Sequence, residues 1–569
     1  MTDILWTPPH PKDTPMWRFI TKVNTKHGQN ISNYEGLFEW SINNLDIFWS
    51  LVWDFVGIQS SKAPTTVLPS TSMFPRPNFF TGSRLNYAEN LLFPANIEID
   101  STSPAVFSLN ELEASALNPD NIPAISLTWA ELRQAVKQVS THLRKSRVNA
   151  SDVVAGYVGN HSQGLIAMLA AASIGAVWTS LSPDTGVTAV TDRLIQIRPK
   201  VLFADDASVY NGKQWPANDK VCTIAKELQP KGLELLVVID ALAKNTADIG
   251  TFKIHNIKTV SYSSLLTNNI HEENPMSFEQ LPPDHPLFIL FSSGTTGLPK
   301  AIVHSVLVML SSITGGTDII SLFGAPCPLL PVKEGSIQCA GLGMDIRAVD
   351  SITGLEVPAN EPGDLVCVRP FPAQPLTFFS PTSRLEGDKK YYEAYFSHWP
   401  QDTIVAGQPG PVWHHGDFVS ISDAGSRSLV MLGRSDGVLK PSGVRFGSAE
   451  IYNILVRFFA VDVADSVCVG RRREQDYDET VCIFVKMNSG RPFTEKLAAD
   501  IKRVIRTELS PRHVPGIVEE AECGIPVTGN GKKIEVAVKH IISGQPVTSN
   551  ASVANPEALN WFRKWALEH

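Results

Sequence analysis

Leu287-Phe-Ile-Leu-Phe-Ser-Ser-Gly-Thr-Thr-Gly-Leu-Pro-Lys300 passes from five large apolar residues into a loop of hydroxyls and glycines that ends on a lysine. The apolar run has the length of a buried strand. Gly294 and Gly297 let the backbone take positive φ and approach an anion closely. Successive N–H groups then form a concave anion site. Ser292, Ser293, Thr295 and Thr296 add hydroxyl donors, and Lys300 adds a cation. The loop is not of the G-x-x-x-x-G-K-[ST] kind, because Ala301 follows Lys300. A plain flexible loop has a similar composition. This order of residues directly after a strand favours phosphate binding.

Upstream, Val153-Val-Ala-Gly-Tyr-Val158, Ala176-Val-Trp-Thr179 and Val201-Leu-Phe203 read as short buried strands. Helical spacing appears between them, at Leu165, Met168, Leu169 and Ala172, from about Val187, and earlier from Leu127 to Arg144. Alternation of this kind predicts a layered α/β domain on a mainly parallel sheet. Residues 1 to 60 hold many aromatics, among them Trp6, Trp17, Phe38, Trp40, Phe48, Trp49 and Trp53. They read as a helical cap that packs its large side chains on a neighbouring core. Pro64, Pro69, Pro75 and Pro77 mark an extended connector. After about residue 434 a smaller α+β unit begins. Its helix carries Ile451, Ile454, Leu455 and Phe458, strands follow near 466–470 and 481–486, and a helix near 494–508. Residues 543–552 read as a linker. The predicted architecture is therefore a large α/β domain over 1–433 and a small α+β domain over 434–569.

The chain has 569 residues, 43% of them hydrophobic, and a net charge of −8. Such a length predicts at least two cores. No clustered basic face suggests nucleic acid, and Arg471-Arg-Arg473 is followed at once by acids and reads as a solvated turn. Seven cysteines without a Cys-x-x-Cys pair argue against a zinc cluster or a disulfide framework, and for a reducing, cytoplasmic setting. No signal peptide is expected at the N-terminus. No apolar run approaches the roughly 20 residues of a membrane span.

Further motifs follow the loop: Gly315-Gly-Thr-Asp318, Trp413-His-His-Gly-Asp417, Gly433-Arg-Ser-Asp436, Ser442-Gly-Val-Arg445 and Pro526-Val-Thr-Gly-Asn-Gly-Lys532. The adjacent histidines 414 and 415 invite a metal reading. Neighbours in a strand face opposite sides, however, and no convergent ligands are visible in the sequence.

With the loop, these motifs resemble in kind and order those of the adenylate-forming superfamily of acyl-CoA synthetases, luciferases and peptide-synthetase adenylation domains. Long stretches such as Leu85-Asn-Tyr-Ala-Glu-Asn-Leu-Leu92 and Lys532-Lys-Ile-Glu-Val-Ala-Val-Lys539 resemble the acetoacetyl-CoA synthetase family in particular. The resemblance implies ATP-dependent activation of acetoacetate or a similar short acid, through acyl-AMP, to acyl-CoA. ATP, Mg2+ and CoA are the implied reactants and metal. It places ATP phosphates at Ser292–Gly297 and Lys300, and nucleotide contacts at Gly315, Gly316, Thr317, Asp417, Arg434 and Arg445. It gives Mg2+ to Asp318, the domain hinge to Asp436, CoA contacts to Ser442 and Gly443, and catalysis of adenylation to Lys532. Asn530 stands where the family more often has serine.

The resemblance breaks in one place. The family carries a segment of roughly a hundred residues or more, the size of a small domain, between the phosphate loop and the Thr-Asp motif. Here only residues 301–314 intervene, and the segment is missing near 305–313. Loss of strands there predicts exposed sheet edges. Two readings follow: a ligase, or a truncated relic that still binds nucleotide or CoA.

Overall fold

A computed structural model describes residues 4–108, 125–183, 185–210, 213–241, 249–252, 254–266, 275–292, 300–305, 316–400, 402–422, 425–435, 439, 441, 446–528, 531, 533–545, 547 and 553–569. The expectations for residues 293–297, 315, 436, 442, 443, 445 and 532 lie outside them.

Three helices open the chain: α1 (Pro15–His27), α2 (Tyr34–Asn43) and α3 (Leu45–Val56). They bury Phe19, Trp40, Phe48 and Trp49 in one aromatic cluster, the packing cap expected from composition, but Trp6 lies outside it and is 50% exposed. Ser41 accepts a hydrogen bond from the Gly343 N–H (2.9 Å), fixing the cap to the large domain.

The alternating pattern then builds α4 (Trp129–Lys145), β1 (Val153–Tyr157), α5 (Ser162–Ser173), β2 (Val177–Leu181), α6 (Val187–Ile197), β3 (Val201–Asp205), α7 (Asn218–Leu228), β4 (Leu235–Ile239) and β5 (Lys258–Ser261). Thr128 and Glu131 form a capping box at the start of α4. The strand carrying the opening sequence is β6 (Pro286–Ser292), and β7 (Lys300–Ser305) follows. The helix α8 is a single turn, Gly316–Ile319; β8 (Ile346–Val349), β9 (Pro362–Cys367) and the two-residue β10 (Thr377–Phe378) come next. The main sheet runs β5-β4-β3-β1-β2-β6-β7-β10. It is parallel from β5 to β6 and antiparallel from β6 to β10.

Helices cover both faces, and strand residues alternate between two cores. Val154, Phe203 and Val237 face the cluster of α4 and α5, while Ala155, Leu202 and Leu236 face that of α6 and α7. Strands buried on two sides must be apolar throughout, which is why they read as unbroken runs. A second sheet is antiparallel, in the order β8-β9-β11-β12, with β11 at Trp413–Ile421 and β12 at Leu429–Arg434. Helix α9 (Arg384–Tyr395) packs nearby.

The expected bare edge is not found at β7. Ile302 and Val303 pair with Phe378 and Thr377, and both are buried. The described ends of the gap also meet: His304 Nε2 donates to the Thr317 carbonyl (3.1 Å).

His304 is 1% exposed, and burial pushes its pKa down to about 4 from 6.5. The folded state therefore holds it neutral, while the unfolded chain takes up a proton below 6.5. Stability present above that pH is lost as pH falls from 6.5 toward 4, by at most about 3 kcal/mol. Urea unfolding followed by tryptophan fluorescence at pH 7 and pH 5 should show this drop. His304→Gln, which keeps a donor for Thr317, should flatten it.

Beyond residue 434 lie α10 (Ser448–Phe459), β13 (Val463–Arg471), β14 (Thr480–Met487), α11 (Glu495–Glu508), β15 (Ile517–Glu520), α12 (Glu535–Ile542) and α13 (Pro556–Glu568). They enclose two cores of their own, one around Phe446, Ile451 and Ile483 and one around Phe484, Phe562 and Trp565. The linker reading did not anticipate α13, whose Leu559, Phe562 and Trp565 are buried. Arg471 and Arg473 are not simply solvated: both pair with Asp476.

Candidate active site

The described motif residues converge from four places. Lys300 begins β7, Thr317 and Asp318 lie in α8, Asp417 lies on β11 and Arg434 ends β12. Asp417 and Arg434 are cross-strand partners, and Arg434 Nη1 donates to Asp417 Oδ1 (3.0 Å) and to the His415 carbonyl (3.2 Å). Lys300 Nζ sits over the Phe378 ring, 5.5 Å from its centre. Desolvation lowers the Lys300 pKa, Asp318 opposes that, and Arg434 adds to it, so the three charges share one neighbourhood. Gly316, expected to contact the nucleotide, has φ +64°.

Three further residues shape the site, and the sequence reading gave none of them a role there. Tyr395, at the end of α9, donates its hydroxyl to Asp318 Oδ1. Burial first, and Asp318 next, hold that phenol far above its ordinary pKa, so it stays a donor. Its ring stacks on Trp413 with centroids 4.0 Å apart at 11°. Trp413 Nε1 donates to His415 Nδ1 (3.1 Å). Because an indole can only donate, His415 Nδ1 carries no proton and Nε2 does. That nitrogen faces Asp417 Oδ2 at 3.5 Å. Burial lowers the His415 pKa and keeps the ring neutral. Trp413, His415 and Asp417 share a face of β11 through the two-residue repeat, and His414 faces away, as the strand argument requires. A signal for His415 was therefore present, in its spacing of two from Asp417; Tyr395 gave none.

Gly416 has φ +79°, and a Cβ there would stand 2.6 Å from Arg434 Nη2. Gly416→Ala should cost about 1–2 kcal/mol for the left-handed backbone and should displace Arg434 from Asp417. Thermal unfolding checks both parts. In an Arg434→Ala background only the backbone cost should remain.

A cavity lies elsewhere, at the carboxyl ends of β1 and β2, where open α/β sheets commonly bind ligands. It holds about 660 Å³ and is lined by Gly159, Asn160, His161, Trp178 and Ser182. His161 Nε2 lies 2.9 Å from Asp205 Oδ1, whose other oxygen accepts from the Gly159 N–H (2.7 Å). It shares no lining residue with the Lys300 cluster.

A family model described as "AMP-binding enzyme" matches residues 113–325, and one described as "Acetyl-coenzyme A synthetase N-terminus" matches residues 34–91. The malonamoyl-CoA synthetase vrtB of Penicillium aethiopicum is 35% identical over 710 aligned positions, covering 100% of this chain and 93% of that protein. The acetoacetyl-CoA synthetase of Danio rerio is 34% identical, covering 98% of this chain and 96% of its own length. The solved acetoacetyl-CoA synthetase of Streptomyces lividans superposes with a TM-score of 0.85 at 28% identity, covering 100% of both chains. The 710 aligned positions exceed the 569 residues of this chain, so vrtB carries sequence that is missing here.

Proposed function

The chain belongs to the acetoacetyl-CoA synthetases within the AMP-binding acyl-CoA ligases, and from that membership we propose which acid it takes and which residues do the work. The reaction is ATP-dependent activation of an acid and its transfer to CoA. In the first step a carboxylate oxygen of the acid attacks the α-phosphorus of ATP. The new C–O–P link forms, the bond to the β-phosphate breaks, and pyrophosphate leaves. In the second step the CoA thiol loses its proton, attacks the acyl carbon, and AMP departs.

We assign the acid as a short one with a carbonyl at its third carbon. Acetoacetyl and malonamoyl groups, named in two relatives, share that carbonyl and differ only in a methyl against an amide nitrogen. The observation that supports the site is the meeting of Lys300, Asp318, Asp417 and Arg434 from separate elements.

Ser292, Ser293, Gly294, Thr295, Thr296, Gly297 and Lys300 hold the ATP phosphates. Gly315, Gly316 and Thr317 border the α-phosphate, Asp417 accepts the ribose hydroxyls, and Arg434 and Arg445 bind the nucleotide. His415 and Arg434 hold the two oxygens of Asp417 in place for that role. Asp318, a single carboxylate already fixed by Tyr395, suits Mg2+, which keeps several waters and takes few protein ligands. When bound there, Mg2+ would neutralise triphosphate charge. Lys532 stabilises charge on the carboxylate and α-phosphate as they react. The domain of residues 434–569 turns about Asp436, removing Lys532 and bringing Ser442 and Gly443 to CoA, so one pocket serves both steps. Seven free cysteines suit a cytoplasmic setting.

The shortened segment favours a second reading, nucleotide binding without turnover by this chain. Calorimetric titration with ATP and CoA, run beside thioester formation from a panel of short acids, separates the two. Acetoacetyl-CoA or malonamoyl-CoA formed faster than propionyl-CoA supports the assignment; binding with no AMP released supports the second reading.

A further inference from the structure

Outside the catalytic cluster, one nitrogen each of His398 and His414 and one oxygen of Asp364 lie within 4.8 Å of one another. His414 projects from the face of β11 opposite His415 and Asp417. Its Nε2 is 3.3 Å from Asp364 Oδ2, and its ring stacks on His398 with centroids 4.0 Å apart. Asp364, on β9, is 2% exposed. The Ser435 and Ser351 hydroxyls lie beside its carboxylate. Buried charges are paired or coordinate metals, and a cation here would meet a carboxylate and two imidazoles together. His398 Nε2 lies 3.2 Å from the Ser351 carbonyl, an outer contact of the kind that orients metal-binding imidazoles.

We infer that Asp364, His398 and His414 bind a divalent transition ion of the zinc class. Two imidazoles and one carboxylate form a donor set that zinc uses when a fourth position stays open. Mg2+ and Ca2+ prefer all-oxygen sites. Ligands of one tetrahedral zinc stand about 3.3 Å apart, given Zn–N of about 2.0–2.1 Å. The Asp364–His414 pair already has that spacing, and the ligand nitrogen of His398 lies within 4.8 Å of both. The sequence argument against a metal at the adjacent histidines holds for the pair. The convergent ligands for His414 come instead from β9 and from the segment after α9. A bound ion would clamp that segment onto the second sheet. The inference does not depend on the adenylation reading.

The test is titration of the full, chelator-stripped chain with Co2+, read by visible d–d absorption, and then displacement by Zn2+. Saturation at one equivalent with a four-coordinate spectrum is expected. His398→Ala, an exposed change that spares the core, should weaken binding at least about tenfold, and Asp364→Asn should do the same. His255→Ala, an exposed histidine outside the trio, should change nothing. Binding that does not saturate, or that survives His398→Ala undiminished, would overturn the site and leave a structural histidine–aspartate hydrogen bond.

Discussion

Pyrophosphate exchange by the chain as it stands should run at least about a hundredfold below that of a version carrying the relatives' segment between Ser305 and Gly316. Adenylation depends steeply on placement, and an error of about 1 Å can cost roughly 10²-fold. Lys300, Asp318, Asp417 and Arg434 share a neighbourhood, and His304 meets Thr317 across the gap. The resemblance places part of the acyl pocket and part of the adenine site in that segment. ATP should therefore bind more tightly on restoration, and turnover should rise with it. Because the flanks already meet, the restored segment should enter without unfolding them, and the melting temperature should not fall. Sequencing the transcript between the codons for Ser305 and Ser311 bears on the same point, since an in-frame unspliced or skipped region there would restore the family length.

In the restored chain, Lys532→Ala should lower acid-dependent exchange by about 10²–10³-fold, the usual effect of removing a group that meets charge developing in the transition state. Thioester formation from supplied acyl-AMP should change only a few-fold, because the lysine leaves the site for that step. Lys533 is the natural control. Its Nζ pairs with Asp465 at 2.7 Å and lies over the Tyr452 ring at 4.2 Å, so it is anchored within the small unit. Lys533→Ala should slow exchange far less than Lys532→Ala. Equal losses in the two variants would remove the assignment.

How much of this was legible before folding depends on how local the signal is. The central strands of the main sheet are buried on both sides, so β1, β3 and β6 announce themselves as apolar runs. The flanking helices announce themselves by spacing. The two-residue β10 has no such signature, yet it is what closes the edge at β7. Helix α13 lay beyond the polar stretch 543–552, which read as a linker. In the site, the motif residues were readable because each motif is contiguous. Tyr395 was not, because α9 is a mostly polar helix and only folding brings its last turn to Asp318. Asp364 and His398 were invisible for the same reason: they reach His414 from a different strand and from a loop.

Acid-dependent exchange of labelled pyrophosphate into ATP by the restored chain is the most direct test of the central claim, that this chain activates a short 3-carbonyl acid as its adenylate. The account predicts label in ATP when acetoacetate or malonamate is present and none when the acid is left out. ATP bound by the restored chain, with no label incorporated for either acid, would contradict it.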